Sequence, residues 1–288
     1  MDKFILLLIL LNVVHSGTCK EEVLVLKYNR ENNCQDPNVG VPIEPNSVIR
    51  EFTFCGKYKL KFLRRSTFMS LGSDIYFELF DFDAKKFILF YDDRFYFFDF
   101  QTEKLKPTKW QHICFALSMS HIKVVINGVS NEVEDFNLVT KETQDTTLWF
   151  GVDKTPGIND HNLSRLVGTM TDIHLWNVSL GIDALTSITL NGKKTDAPLP
   201  DLFMWPPLDA KSNMPCYEYL NVDENDGLLQ NDPPEEIMLI ENHENFASSN
   251  YLCQAYGGNL FIPKNDGDLS KLTSLIKESN CSYSYLGL

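Results

Sequence analysis

The chain has 288 residues, of which 43% are hydrophobic and 23% are charged, a composition that is ordinary for one or two globular domains. Its formal net charge of −13 disfavours a nucleic-acid partner, because phosphate groups repel an acidic protein. After the N terminus no stretch approaches the ~20 apolar residues of a membrane span, so no membrane span is predicted.

Residues 1–17 have the pattern of a secretory signal peptide. Lys3 supplies a positive charge, and the apolar run from Phe4 to Val14 is too short to span a bilayer. Ser16 is a small residue at the expected cleavage position. The alternatives are an uncleaved anchor or a buried helix. We expect a secreted, extracellular protein whose cysteines are candidate disulfide partners.

The seven cysteines are an odd number, so at least one has no partner within the chain. No pair has the Cys-x-x-Cys spacing of a zinc or redox site. Cys55 and Cys114 lie about 59 residues apart on two predicted strands, and a disulfide across such a loop is worth about 4 kcal/mol. Cys216 is a candidate partner of Cys19 or Cys34. Three sequons predict N-glycans, at Asn162, Asn177 and Asn280.

Residues 18–46 are predicted to be an N-terminal tether. They contain one short apolar strand, Val23 to Leu26, and the remainder is loop-like with three prolines.

Residues 47–208 contain one short strand after another. Tyr58 to Phe62 alternates with period two, and Asp92-Asp93 is a two-residue hairpin connection between Phe87–Tyr91 and Arg94–Phe100. Apart from a short helix at Ile182 to Ile188, no helical period appears, so an antiparallel β-sandwich is predicted. We expect the aromatic side chains of residues 82–100 to fill the space between two sheets rather than to form a base-stacking platform.

His112 lies in the predicted strand from Trp110 to Cys114. A catalytic role is disfavoured because no nucleophile with a supporting acid is identifiable around it, so a structural hydrogen-bonding role is predicted. Further along the chain, Ile173, Leu175 and Trp176 are predicted core residues.

These strands resemble a pentraxin domain, a jelly roll of the laminin-G-like group. Phe52-Thr53-Phe54-Cys55 resembles the strand of the family's first cysteine, and Trp110-x-His112-x-Cys114 the strand of its second. Leu166 to Trp176 and Leu202 to Leu208 resemble its Val-Gly…Trp segment and its closing strand. The resemblance implies a mainly β, antiparallel jelly roll with a Cys55–Cys114 disulfide that binds ligands without catalysis.

The calcium ligands of that family are largely missing. After Phe150-Gly151 only Asp153 retains a carboxylate, and near the other expected pair the sequence reads Asp83-Ala84-Lys85. Calcium requires six to eight oxygen ligands, several of them carboxylates. We therefore expect no double-calcium site and no cofactor. Asp83, Asp153 and Asp160 are candidates for at most one weakly bound ion.

Residues 209–236 are predicted to be an acidic linker, and residues 237–288 resemble the first half of a C-type lectin domain. Phe246-Ala247, Cys253 and Gly257-Gly258-Asn259-Leu260 match that family's opening helix and strand. Asp266 is predicted to cap a second helix whose Leu269, Leu272, Leu275 and Ile276 share a face. The family's second half is missing, which leaves Cys253 without its partner and predicts a truncated α+β domain.

The resulting interpretation is a secreted, non-catalytic, lectin-like protein that binds carbohydrate or other surface ligands. One alternative is a structural or adhesion module of a longer extracellular or receptor protein, with no small ligand of its own. A glycosidase on the same architecture is disfavoured, because it needs two carboxylates facing each other across a sheet. Its candidates, Glu78, Asp81 and Asp83, lie close together in sequence with nothing distinct to pair with. No oligomeric state is predicted.

Overall fold

The structure is a computed structural model that describes residues 20–26, 39–43, 51–61, 65–72, 75–79, 86–91, 94–100, 109–133, 147–152, 165–191, 197–205, 217–223 and 263–279. The strands within these ranges are β1 Lys20–Leu26, β2 Val39–Pro42, β3 Phe52–Leu60, β4 Ser66–Leu71, β5 Ile75–Leu79, β6 Lys86–Tyr91, β7 Arg94–Asp99, β8 Trp110–Leu117, β9 Ile122–Ile126, β10 Val129–Val133, β11 Thr147–Phe150, β12 Gly168–Trp176, β13 Phe203–Met204 and β14 Tyr217–Asp223. The helices are α1 Ile182–Asn191 and α2 Asp266–Ser279. Neither of these two helices is long and apolar enough to cross a membrane.

The strands form two antiparallel sheets. Sheet A has the order β10-β9-β8-β3-β12-β1-β14, with β13 paired to β12, and sheet B has the order β2-β11-β4-β5-β6-β7. The predicted hairpin at Asp92-Asp93 is confirmed by the pairing of Tyr91 with Arg94. A two-residue turn at Asn127-Gly128 joins β9 to β10, and both residues have positive φ, as a type I′ turn requires.

Aromatic rings fill the space between the sheets. The ring centres of Phe77 in sheet B and Phe115 in sheet A are 4.9 Å apart, and those of Tyr58 and Phe68 are 4.8 Å apart. The predicted core residues Ile173 and Leu175 belong to this cluster. Because each ring buries a large apolar area, these contacts hold the two sheets face to face.

Helix α1 packs on the outer face of sheet A. It covers a second cluster that contains Cys55, Cys114, Trp176, Leu185 and Ile188. The chain that enters α1 is fixed by Thr53, whose hydroxyl donates to the carbonyl of Val178 at 2.6 Å and accepts the N–H of Leu180 at 2.8 Å. Helix α1 is therefore attached to the central strands of sheet A by apolar packing over the disulfide and by these two hydrogen bonds.

The sandwich extends beyond residues 47–208 at both ends. β1 lies between β12 and β14, and β2 pairs with β11, so the segment predicted as a tether contributes a strand to each sheet. The segment predicted as a linker contributes β14. The predicted closing strand at Leu202 to Leu208 is only the two-residue β13 where the structure describes it. Val23 and Leu24 are fully buried because both faces of β1 are covered.

Helix α2 confirms the helix predicted in the C-terminal segment, but its cap is Asn265 rather than Asp266. The Asn265 side chain accepts the N–H of Asp268 at 2.9 Å, and Asp268 in turn accepts the N–H of Lys264 at 3.1 Å. The arrangement differs from a capping box by one residue, because Asp268 accepts the N–H of Lys264 rather than that of the cap residue Asn265. The rest of the C-type-lectin-like segment, including Cys253, lies outside the described residues, so that resemblance stays a prediction.

Candidate functional site

The outer face of sheet B carries alternate residues of β4, β5, β6 and β7. Cross-strand neighbours form two rows across this face. One row contains Ser70, Tyr76, Phe90 and Phe95, and the other contains Thr67, Glu78, Ile88 and Phe97. Residues one position along each strand, such as Phe77 and Phe98, point into the core instead.

Four aromatic rings on this face form a strip that runs from the middle of sheet B to β7. The ring centres are 4.9 Å apart for Tyr76 and Phe90, 5.1 Å for Phe90 and Phe95, and 6.5 Å for Phe95 and Phe97. Tyr76 and Phe90 are buried, whereas Phe95 is 52% and Phe97 59% exposed. We call Tyr76, Phe90, Phe95 and Phe97 the aromatic strip; its outer end presents two rings to solvent.

Charged groups flank the exposed end of the aromatic strip. Lys86 on β6 lies directly opposite Asp99 on β7, and both are exposed. Asp99 is two residues from Phe97 on the same strand and therefore points to the same face. An exposed donor and an exposed acceptor thus lie beside two apolar rings, and such a combination can bind a ligand with both hydroxyl groups and apolar surface.

At the buried part of the same face, Glu78 forms an ion pair with Arg65. Nε and Nη2 of Arg65 donate to Glu78 Oε1 at 3.0 and 2.6 Å. The Glu78 side chain is inaccessible to solvent. A carboxylate bound by a guanidinium cannot act as a free nucleophile or general acid, so this contact argues against the catalytic role considered for Glu78.

The predicted metal candidates Asp83, Asp153 and Asp160 lie outside the described residues. In the sequence, Asp83 falls between β5 and β6, and Asp153 follows β11. Within the described ranges, no group of three or more histidine, cysteine, aspartate or glutamate side chains is placed to hold a metal ion.

The Cys55–Cys114 disulfide is present, and it joins residues directly opposite each other on β3 and β8. The other predicted cysteine partners, Cys19, Cys34 and Cys216, lie outside the described residues, as do the sequons at Asn162 and Asn280. Asn177 is exposed just after β12, in a position open to glycosylation. Its glycosylation stays a prediction.

His112 lies at a structural position. Its main-chain N–H donates to the side chain of Asn127 at 2.9 Å, and its main-chain oxygen accepts the N–H of the same residue at 3.0 Å. The Asn127 amide also donates to Gln111 at 2.6 Å. These contacts anchor the turn between β9 and β10 through the main chain of His112 and do not involve its ring, so the structural role of the side chain stays a prediction.

The aromatic strip was not predicted. The rings of Phe87, Phe98 and Phe100 fill the core as expected, but Phe95 and Phe97 point outward. The sequence Arg94-Phe95-Tyr96-Phe97-Phe98 has apolar residues at both parities, although a strand with one solvated face would alternate. That lack of alternation was the available indication that both faces of β7 carry aromatic rings.

Comparisons with known proteins agree on the architecture. The sequence profile of the concanavalin A-like lectin/glucanases superfamily matches residues 50–184. The native heptameric SAP-like pentraxin from Limulus polyphemus superposes with a TM-score of 0.54 at 14% identity, over 70% of this chain and 92% of that chain. No curated protein sequence matches the chain.

Two further solved structures superpose over smaller parts of the chain. Domains LG4-5 of the mouse laminin alpha1 chain have a TM-score of 0.41 at 15% identity, over 56% of this chain and 42% of that chain. The CBM40 of the Ruminococcus gnavus IT-sialidase, bound to alpha2,3 sialyllactose, has a TM-score of 0.39 at 13% identity, over 52% of this chain and 98% of that chain. The profile match and the pentraxin superposition show that the sandwich is a concanavalin-like jelly roll, and at these identities the structural likeness concerns the fold alone.

Proposed function

We propose that this chain is a secreted, non-catalytic recognition protein that binds carbohydrate through the exposed end of the aromatic strip on sheet B. The observation that carries the proposal is the exposure of Phe95 and Phe97 beside Lys86 and Asp99 on one sheet face. The C–H groups on one face of a sugar ring pack against an aromatic ring, and its hydroxyls exchange hydrogen bonds with charged side chains. The jelly-roll fold, which solved carbohydrate-binding modules also have, is consistent with this role.

We propose a non-catalytic protein because of the surroundings of the two carboxylates on this face, those of Glu78 and Asp99. Hydrolysis of a glycoside needs an acid and a second carboxylate facing each other across the substrate. Glu78 is neutralised by Arg65, and Asp99 lies on the exposed part of the face beside Lys86 rather than opposite a second acid.

The proposed binding does not depend on calcium. Calcium that bound only the native state at about a hundredfold excess over its Kd would add roughly 2.7 kcal/mol to the free energy of unfolding. We expect millimolar calcium to leave the melting temperature unchanged, measured by circular dichroism with and without a chelator. A clear rise would mean that oxygens such as those of Asp83, Asp153 and Asp160 form a site after all.

The binding test is a glycan array probed with the purified full chain and with the double variant Phe95→Ala/Phe97→Ala. We expect the wild-type protein to bind a defined subset of glycans and the variant to lose that binding. Because Phe95 and Phe97 are 52% and 59% exposed, the variant should lose some stability but remain folded, which circular dichroism would show. Met204→Ala is the matched control, since Met204 is an equally exposed apolar residue on sheet A. Unchanged binding by the double variant would contradict the assignment to this face.

The alternative is a structural or adhesion module without a small ligand of its own. It is favoured by the burial of Tyr76, Glu78, Ile88 and Phe90, which removes the middle of the face from solvent. A folded wild-type protein that binds no glycan on the array would support this alternative.

A further inference from the structure

A second group of polar side chains lies on the outer face of sheet A, next to the area covered by α1. Lys57 and Lys59 on β3 lie directly opposite His112 and Trp110 on β8. The Nζ atom of Lys59 is 5.6 Å from the centre of the Trp110 ring, so these two side chains share the outer face. On the other side of β3, Lys57 lies opposite Thr171 on β12.

Asp172 joins this group in a backbone conformation that residues other than glycine rarely adopt. Its φ is 53°, and it lies where the register of β12 against β3 shifts between Thr171 and His174. The resulting bulge places its Oδ1 2.7 Å from Nε2 of His174 and its Oδ2 3.4 Å from Nζ of Lys57. Bulges that redirect a side chain, and positive φ outside glycine, concentrate at functional sites.

The charge of the group is opposite in sign to that of the whole chain. The chain has a net charge of −13, yet on this face two lysines, Lys57 and Lys59, lie near one carboxylate, which Lys57 and His174 contact. Lys57 is 34% exposed and Asp172 19% exposed, whereas His174 is buried beneath them. Solvent therefore meets the Lys57 ammonium group, the Asp172 carboxylate held beside it and the half-buried ring of Trp110.

We propose that this group is a binding site for an acidic monosaccharide unit. Lys57 contacts the anionic group, Asp172 accepts hydrogen bonds from adjacent hydroxyls, and Trp110 packs against the apolar face of the sugar. The Lys57 ammonium group beside Asp172 suits one anionic group, either a carboxylate or a sulfate. This site lies on the opposite outer face from the aromatic strip and does not rest on the function proposed above.

The ligand class is tested by titrating the full chain in a calorimeter with glucuronate, glucose 6-sulfate and glucose. We expect one or both acidic sugars to bind at least about tenfold more tightly than glucose, because only they form a charge-assisted contact with Lys57. Binding of glucuronate alone identifies the anionic group as a carboxylate, and binding of glucose 6-sulfate alone identifies it as a sulfate. Equal affinity for glucose, or no binding of either acidic sugar, would overturn the proposal.

The location is tested with Lys57→Met, which we expect to weaken acidic-sugar binding at least about tenfold, and with Asp172→Asn. Asparagine tolerates positive φ, so Asp172→Asn keeps the bulge and the melting temperature while it weakens binding severalfold. Lys123→Met, which removes the same charge elsewhere on sheet A, is the matched control and retains wild-type affinity. Wild-type affinity in a folded Lys57→Met protein would overturn the assignment of the acidic-sugar site to sheet A. The sheet B proposal fails on a different result, namely unchanged array binding by Phe95→Ala/Phe97→Ala.

Discussion

Replacing Arg65 by methionine removes the cation that neutralises an inaccessible carboxylate in sheet B. Two guanidinium nitrogens donate to Glu78 Oε1, and the Glu78 side chain has 0% exposure. Removing one partner of a buried ion pair costs about 3–5 kcal/mol, because the other charge is left uncompensated. Arg65 is itself 37% exposed, so water can partly replace it. We therefore expect the lower end of that range, about 3 kcal/mol.

A double-mutant cycle separates the charge effect from lost packing. Glu78→Gln alone keeps an acceptor for Arg65 and is expected to cost about 1–2 kcal/mol. Arg65→Met/Glu78→Gln removes both charges of this pair, so it should cost at least about 1.5 kcal/mol less than the sum of the single variants. Urea unfolding of the full chain at pH 7 gives the four free energies. A cost below about 1 kcal/mol for Arg65→Met, or additivity within about 0.5 kcal/mol, would refute the reasoning.

Substitutions at four other places test the contacts that stabilise the sandwich. Burial raises the pKa of Tyr58 well above its usual value. The buried neutral phenol therefore contributes fully to the free energy of unfolding below about pH 10, and this contribution is lost as the pH rises toward the folded-state pKa. Its hydroxyl has no hydrogen-bond partner among the described residues. Tyr58→Phe should therefore raise the free energy of unfolding by about 1 kcal/mol and remove the part of the alkaline destabilisation that comes from this phenol. Thermal melts from pH 8 to 11 measure both effects. A lower stability of the variant would show that the hydroxyl has a hydrogen-bond partner. A Cβ at Gly168 would lie 2.3 Å from a main-chain oxygen of β3, so Gly168→Ala should cost more than about 3 kcal/mol in urea unfolding, and a neutral effect would contradict the β3–β12 pairing. Thr53→Val removes both hydrogen bonds that fix the entry to α1 and should cost about 2 kcal/mol by the same measurement, while Thr53→Ser should retain most of the stability. Cys55→Ala/Cys114→Ala opens a loop of 59 residues and should cost about 4 kcal/mol; an unchanged denaturation midpoint would show that the disulfide adds nothing.

The strands of the central sandwich could be predicted because their patterns are local. Alternation located the strand around Tyr58, and the two-residue Asp92-Asp93 connection located the β6–β7 hairpin. The Cys55–Cys114 disulfide was implied by the resemblance of their two predicted strands to those of the pentraxin family, and it is present. Each of these features depends on a few adjacent residues or on one family resemblance, and sequence alone displays both.

What could not be predicted depends on contacts between distant parts of the chain. β1 has an apolar pattern, but nothing in it indicates that β12 and β14 lie on either side. The same holds for the site on sheet A, where Lys57 and Asp172 lie on separate strands and meet only through a bulge. The outward direction of Phe95 was obscured because aromatic residues occupy both faces of β7.

The position of β1 has a consequence for folding during synthesis. Of the described strands of sheet A, β1 is synthesised first, yet its two neighbours, β12 and β14, come late in the chain. Until they are made, Val23, Leu24 and Leu26 have no partner strand to cover them, although all three are buried in the folded protein. Such distant pairings fold slowly and leave apolar strands open to aggregation. Closing sheet A around β1 is therefore a late step, and a chain that ends before β14 cannot complete that sheet.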